Sequence, residues 1–300
     1  MAELTVLTPA YNREKELHTL FDSLCRQTVK DFEWVIVDDG SADHTYSFAE
    51  ACKENADFKV VYLKKENGGK HTALNFALKH ITTSLVFIVD SDDYLTDDAV
   101  GVIYEKLNQY KNETDLCGFS FLRKKADSTG YMTKPLSHDN IKSTYCERLN
   151  SGLEGDMAEV WYTDKLREFP FPEFKGEKFL GEDTVWVQLS GKYKMRFFNQ
   201  AIYVSQYLEG GLTLNRRRHN IQSPNGCVAR AQAFLDSSVD LKHKIKAMLQ
   251  YFIYGKFAGK KQTELFKDSN HKGLAVILYF PALFIFYVWK KQFCEKELSQ

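Results

Sequence analysis

Trp34-Val35-Ile36-Val37 runs straight into Asp38-Asp39-Gly40-Ser41, and Leu85-Val86-Phe87-Ile88-Val89 runs into Asp90-Ser91-Asp92-Asp93. Each is a short, β-branched apolar run that stops on carboxylates. Runs of this length without polar alternation read as strands buried on both faces. Two more accompany them: Leu4-Thr5-Val6-Leu7, which leads into Thr8-Pro9-Ala10-Tyr11-Asn12-Arg13, and Val60-Val61-Tyr62-Leu63. Helical spacing fills the intervals. Leu17, Leu20, Phe21 and Leu24 follow the first run, a polar, Ala-containing segment covers 43–53, Leu74, Ala77 and Leu78 share one face of 71–80, and a further helix is expected over 97–107. Strand and helix in alternation predict βαβ units around a parallel sheet.

In an open α/β sheet the ligand crevice lies beyond the carboxyl ends of the strands. The polar clusters at 8–13, 38–41 and 90–93 are therefore expected to converge. A single aspartate after a strand is commonly a helix cap, and Asp43 and Asp97 suit that role. Adjacent carboxylates at two strand ends repel one another unless a cation or hydrogen-bond donors hold them. No G-x-G-x-x-G follows a strand, which disfavours a dinucleotide-binding dehydrogenase. Asn67-Gly68-Gly69-Lys70-His71 lacks the Walker spacing; its glycine pair and lysine suit either a helix opening on an anion or an ordinary glycine turn.

Composition narrows the class. With 44% hydrophobic residues, the 300-residue chain can bury a sizeable core. Forty basic residues balance forty acidic ones, which argues against a nucleic-acid partner. Six cysteines, at 25, 52, 117, 146, 227 and 294, form no C-x-x-C pair. Neither a structural zinc nor a disulfide framework is expected, and a reducing compartment fits. The first residues reach an apolar run at once and read as a strand rather than a signal peptide.

Taken in order, Thr8-Pro9-Ala10-Tyr11-Asn12, Val37-Asp38-Asp39-Gly40-Ser41, Asn67-Gly68-Gly69 with Ala73-Leu74-Asn75, and Val89-Asp90-Ser91-Asp92-Asp93 resemble the nucleotide-sugar-binding half of family 2 glycosyltransferases, over residues 4–98. The resemblance implies an α/β, GT-A nucleotide-diphospho-sugar transferase fold, Rossmann-like with a mainly parallel central sheet. It implies that Pro9, Tyr11 and Asp39 hold a uracil-type base and its ribose. Asn12, Asp38, Gly69, Lys70, Asn75, Asp90 and Ser91 would complete the nucleotide-sugar site, and Asp90 with Asp92 would form the DxD motif. A nucleotide diphosphate cannot share a crevice with carboxylates without a counter-charge. A hard, oxygen-seeking Mn²⁺ or Mg²⁺ ion would bridge them and stabilise the leaving diphosphate. Asp92 is expected to be a direct ligand and Asp90 to act on the metal, through water or on the ribose. Asp93 suits either a ligand or a cap for the turn before Tyr94.

Further along, 116–121 and 131–135 are expected to be strands and 139–149 a helix. Trp161-Tyr162 and Phe169-Pro170-Phe171-Pro172 suit either stacking on a sugar ring or packing. In Gly181-Glu182-Asp183-Thr184-Val185-Trp186, Asp183 opens a helix and on that ground alone suits an N-cap or a first-turn acid. The resemblance implies that Asp183 is the general base, with Glu182 positioning the acceptor. An acceptor hydroxyl needs such a base to attack the anomeric carbon, and inversion needs only one. Gly210-Gly211 followed by Arg216-Arg217-Arg218-His219 suits either a loop closing on the departing diphosphate or a solvated surface. Arg216 would then face the nucleotide sugar and His219 the metal or a phosphate. The Q-x-x-R-W motif of processive synthases is missing, which favours transfer of a single sugar.

Beyond about residue 220 the pattern is helical and rich in lysine, with eight lysines between Leu241 and Lys272. Leu274 to Trp289 is a sixteen-residue run without a charge, interrupted by Pro281. As a helix this run spans roughly 24 Å, short of the roughly 30 Å hydrocarbon core. A broken helix lying in the membrane interface is favoured over a full span or a buried packing helix. The expected layout is a catalytic domain over 1–220, divided into nucleotide-sugar binding (1–98) and acceptor binding (99–220), and a membrane-associating helical region over 221–300. The expected activity is inverting transfer from a UDP-sugar to a hydroxyl of a glycan or lipid-linked acceptor at the cytoplasmic face of the membrane, in surface-polysaccharide or glycolipid synthesis. The alternatives are a catalytically silent nucleotide-sugar-binding scaffold and a nucleotidyltransferase. The latter would carry a basic, glycine-rich loop where Pro9-Ala10-Tyr11-Asn12 stands.

Overall fold

The computed structural model describes residues 2–205 and 216–295. Its strands are β1 Leu4–Ala10, β2 Glu33–Asp38, β3 Lys59–Lys64, β4 Leu85–Ile88, β5 Tyr94–Leu95, β6 Leu116–Lys125, β7 Ile141–Ser143, β8 Met157–Tyr162 and β9 Lys194–Ser205. Its helices are α1 Glu14–Cys25, α2 Thr45–Asn55, α3 Lys70–Leu78, α4 Ala99–Tyr110, α5 Tyr145–Asn150, α6 Thr163–Arg167 and α7 Asp183–Leu189, then α8 Arg216–Gln222, α9 Pro224–Asp236, α10 Leu241–Phe257, α11 Gln262–Asp268 and α12 Lys272–Lys290.

All described strands join one sheet, in the order β3-β2-β1-β4-β8-β6-β9-β5, with β7 on β9. The four runs read as βαβ units form its parallel half. Their register sets Pro9 beside Val37 and Ala10 beside Asp38, so the polar segments after β1, β2 and β4 leave from one edge. Beyond β4 the sheet changes character: β8 is antiparallel to β4 and to β6, and β6 and β9 are parallel. The sheet as a whole is therefore mixed rather than mainly parallel. Every residue of β2 is buried, and the Trp34 indole N–H, deep in the core, donates to Thr8 Oγ1 at 3.0 Å.

Apolar side chains cover both faces. Leu17, Leu20, Ala99 and Ile103 pack on one side, and Leu74, Ala77, Val185 and Trp186 on the other. A third cluster joins the C-terminal helices to Cys146, Leu149 and Val187. The helical region thus shares a core with α5 and α7, and its packing fixes the far wall of the crevice.

Three local expectations change. The strand expected over 131–135 reduces to one bridge, between Lys124 and Tyr131. The helix expected over 139–149 begins only at Tyr145, after a short strand. Thr144 sets that start: its hydroxyl accepts the Glu147 N–H at 3.1 Å while the Glu147 carboxylate accepts the Thr144 N–H at 2.9 Å, a reciprocal cap. Pro281 does not break the last helix: α12 runs continuously for 19 residues, about 28 Å, because packing against α10 holds it on both sides of the proline. Ala275, Tyr279 and Ala282 form the buried side. The opposite side exposes Val276, Ile277, Phe280, Phe284 and Tyr287, with Phe280 at 75% and Phe284 at 72%. Among the described residues, Lys272–Cys294 is the one helix long and apolar enough to cross a membrane.

Candidate active site

The two aspartates after β2 point in different directions and do different work. Asp38 is fully buried; it accepts the Ser41 N–H at 2.6 Å and the Tyr62 hydroxyl, so it closes the turn. Asp39 faces the glycine loop. It accepts Lys65 Nζ at 2.7 Å, the Gly68 N–H at 2.9 Å and the Gly69 N–H at 2.6 Å. Gly69 has φ +92°, and a Cβ there would lie 2.0 Å from the Lys178 carbonyl oxygen. The loop is thus clamped between Asp39 and the segment before α7. This is an ordinary glycine turn, and it also delivers Lys70 into the crevice.

Asn12, at φ +53°, links two strand ends. Its N–H donates to Ser41 Oγ at 2.8 Å and its Oδ1 accepts the Ala42 N–H at 2.9 Å. Tyr11, half exposed, offers an open ring at the lip, beside Pro9. Asn75 is spent elsewhere. Its amide donates to Phe171 O at 2.8 Å and Glu173 Oε1 at 2.7 Å and accepts the Phe171 N–H at 2.9 Å, tying α3 to the 171–173 segment.

Lys70 is the centre of the site. Its ammonium pairs with both Asp90 and Glu182, carboxylates that lie far apart in sequence. Burial alone would pull its pKa down, but the two carboxylates outweigh that and hold it above the ordinary lysine value. Burial likewise pushes Asp90 up, yet Lys70 and then Arg123 outweigh it and keep Asp90 below the usual carboxylate range. Arg123, on β6, lies 3.8 Å from Asp90 and stacks 4.1 Å over the Tyr203 ring. Asp93 turns inward and accepts the Tyr203 hydroxyl at 2.7 Å; Ser91 is buried in the same turn. Asp92 differs. It makes no ion pair among the described residues, and burial, followed by repulsion from Asp90, raises its pKa.

Glu182 and Asp183 divide between two sides. Glu182 faces Lys70 and Asp90. Asp183 faces α9, where Arg230 Nε donates to Oδ1 at 2.6 Å and Nη2 to Oδ2 at 2.5 Å. Burial pushes Asp183 up, but Arg230 wins and holds its pKa below the usual carboxylate range. Arg216 and Arg217, at the start of α8, line a pocket together with Arg230.

Two residues escaped the sequence reading. Arg230 carries no motif. Glu159 lies on β8, directly opposite Ser120 of β6, and burial pushes its carboxyl up to about 7. Only the alternation of a β-strand, with Glu159 on the same face as Met157 and Trp161, gave a signal for it.

Carboxylate oxygens suit a hard divalent cation, and Asp92 is a carboxylate without an ion-pair partner among the described residues. Among the described residues no three His, Cys, Asp or Glu side chains gather around a point. An ion would therefore take Asp92, with Asp90, and complete its shell from a ligand. His219 stacks its ring on Phe179 at 6.1 Å, and the glycines 210 and 211 lie outside the described residues.

The sheet order, the glycine clamp and the paired aspartates define a nucleotide-sugar transferase fold. Residues 5–156 match the profile of glycosyl transferase family 2, just over half the chain, and the chain belongs to that family. It is 38% identical over 111 residues to glycosyltransferase GlyA of Streptococcus pneumoniae, a match covering 36% of this chain and 16% of GlyA. It is 26% identical to the GalNAc(5)-diNAcBac-PP-undecaprenol beta-1,3-glucosyltransferase of Campylobacter jejuni, over 95% of this chain and 92% of that protein. The fold is shared with Staphylococcus aureus TarS 1–349 in complex with UDP-GlcNAc (TM-score 0.62, 21% identity, 95% of this chain and 80% of that one). It is shared too with the mannosyltransferase PcManGT of Pyrobaculum calidifontis in complex with GDP-Man and Mn²⁺ (TM-score 0.59, 18% identity, 96% and 83%).

Gly69→Ala forces a side chain into a backbone carbonyl at a left-handed φ. Denaturant unfolding is expected to show a loss of at least about 2 kcal/mol. Wild-type stability would mean that the clamp on the loop yields freely.

Proposed function

We propose that this chain transfers one sugar, with inversion, from a UDP-sugar to a hydroxyl of a glycan or lipid-linked acceptor, in surface-polysaccharide or glycolipid synthesis. The observation that carries the reading is the Lys70 bridge, which brings a DxD carboxylate, Asp90, against Glu182, the residue before Asp183. In this reading Asp90 is a donor-side and Glu182 an acceptor-side acid, drawn from opposite ends of the catalytic region. The relatives support it: TarS was crystallised with UDP and with UDP-GlcNAc, and the Campylobacter relative is named for an undecaprenol-linked substrate.

In this reading Tyr11, Pro9 and Asp39 receive the base and ribose, and Lys70 meets the donor's negative charge. Asp92 and Asp90 would hold a Mn²⁺ or Mg²⁺ ion, which when bound supplies positive charge to the leaving diphosphate. Glu182 orients the acceptor. Asp183 takes the hydroxyl proton as that oxygen attacks the anomeric carbon. Arg230 occupies one position on each Asp183 oxygen. An ionised carboxylate offers about four such positions, so room is left for the hydroxyl, and Arg230 keeps the base ionised. Nothing in the site favours the silent scaffold.

The membrane part of the reading rests on α12. Its solvent side is a stripe of large apolar residues, and Lys290 and Lys291 follow it. Such a face suits burial at a lipid surface, where the lysines meet anionic headgroups. The cytoplasmic face is the side on which nucleotide sugars would be at hand.

Asp183→Asn is expected to lower transfer about 10²–10⁴-fold while calorimetric UDP affinity stays at the wild-type value; unchanged transfer would put the base elsewhere. The sign of the pH effect follows from Arg230. Removing it lets the Asp183 pKa rise, so Arg230→Gln should move the acid limb of the transfer profile to higher pH. An unmoved limb would contradict Asp183 as base. Phe280→Ser with Phe284→Ser should weaken sedimentation with phosphatidylglycerol-containing vesicles; equal sedimentation would remove the lipid-facing role of α12.

A further inference from the structure

Behind Asp183, on the side away from Lys70 and Asp90, lies a pocket of about 250 Å³ enclosed by α8, α9, α10 and the end of α12. Among the described residues its lining holds four cations, Arg216, Arg217, Arg230 and Lys246, and no carboxylate. Arg230 is neutralised by Asp183. Arg217 lies 4.3 Å over the Trp289 ring, a contact that leaves its charge uncompensated. Arg216 and Lys246 make no hydrogen bond or ion pair among the described residues, although both act on Asp183 from a distance and help to lower its pKa. Neutral polar groups complete the wall: Gln250 accepts from Arg230 Nη1 at 3.2 Å, and Asn220 donates to the Tyr254 hydroxyl at 3.1 Å.

Arg216, Arg217 and Lys246, which have no ion-pair partner among the described residues, repel one another across this concave space unless an anion fills it. Arginines with a lysine and an amide match the oxygens of a phosphoryl group, which the guanidinium fork and the ammonium point charge bind well. In the transferase reading the donor's diphosphate lies elsewhere, next to Asp90 and Asp92.

We propose that this pocket receives a phosphoryl or diphosphoryl group carried by the acceptor. This deepens the transferase reading and rests on it. Arg230 both lines the pocket and holds Asp183, so the bound phosphoryl group and the attacking hydroxyl belong to the same end of the acceptor. The acceptor is then a phosphorylated saccharide near the start of its assembly, and the reaction supplying it is one that places a sugar on a phosphate. Trp289 joins the pocket to α12, so the phosphoryl group sits next to the helix with the exposed apolar stripe.

The test uses the full chain and inorganic pyrophosphate as probe, titrated calorimetrically with the donor site first saturated with UDP. Pyrophosphate should still bind. Lys246→Gln should weaken it about ten-fold, the loss of one charge-assisted hydrogen bond, and Lys246→Gln with Arg217→Gln further, with UDP affinity unchanged in both. Farnesyl diphosphate in phosphatidylcholine vesicles distinguishes the sources. Tighter, Lys246-dependent binding to these vesicles than to pyrophosphate assigns a lipid-borne diphosphate; equal affinity assigns a water-soluble phosphorylated acceptor. Pyrophosphate expelled by UDP, or bound equally by wild type and both variants, overturns the proposal. Failure of UDP itself to bind would overturn the donor reading instead, and the Lys246 comparison without UDP would still decide the pocket.

Discussion

The ion pairs of Lys70 with Asp90 and Glu182 hold the rest of the site in place. A lysine this enclosed keeps its charge only because two carboxylates face it, and the carboxylates tolerate their closeness only because the lysine stands between them. Each arrives by a different route. Asp90 ends the fourth parallel strand, Lys70 opens α3 on the clamped glycine loop, and Glu182 precedes α7, whose position the C-terminal helices help to set. A change in any of these three routes would disturb the other two.

That dependence explains why the fold carries more than a nucleotide-binding half. The parallel half alone would leave Asp90 paired with Lys70 but without Arg123 or the Glu182 that shares its lysine. The antiparallel strands β6 and β8 bring Arg123 and Glu159 alongside, and α9 brings Arg230 to Asp183. The apolar cluster shared by Cys146, Leu149, Val187 and the last helices is what couples the acid pair to the C-terminal region.

Much of the parallel half was legible from residue order, because buried parallel strands are continuous apolar runs and their ends carry the polar residues. Asp38 and Asp39 were legible as a pair but not as two roles; only geometry shows that one closes a turn and the other grips a loop. Asn75 matched a motif, yet its amide serves the 171–173 segment. Arg230 and Glu159 were invisible because their roles come from tertiary contacts, with no local pattern around them. The 139–149 stretch was misread because a short strand and a capping box share a window that averages to a helix. The continuity of α12 through Pro281 was missed because packing against α10 offsets a loss that the local sequence alone would impose.

The central claim is that the acids gathered around Lys70 form a donor site completed by a divalent ion. Calorimetric titration of UDP, with and without Mn²⁺, into wild type and Asp92→Ala tests it most directly. Manganese should tighten UDP binding to the wild type and leave Asp92→Ala unaffected. The same response in both proteins, or none in the wild type, would contradict the account.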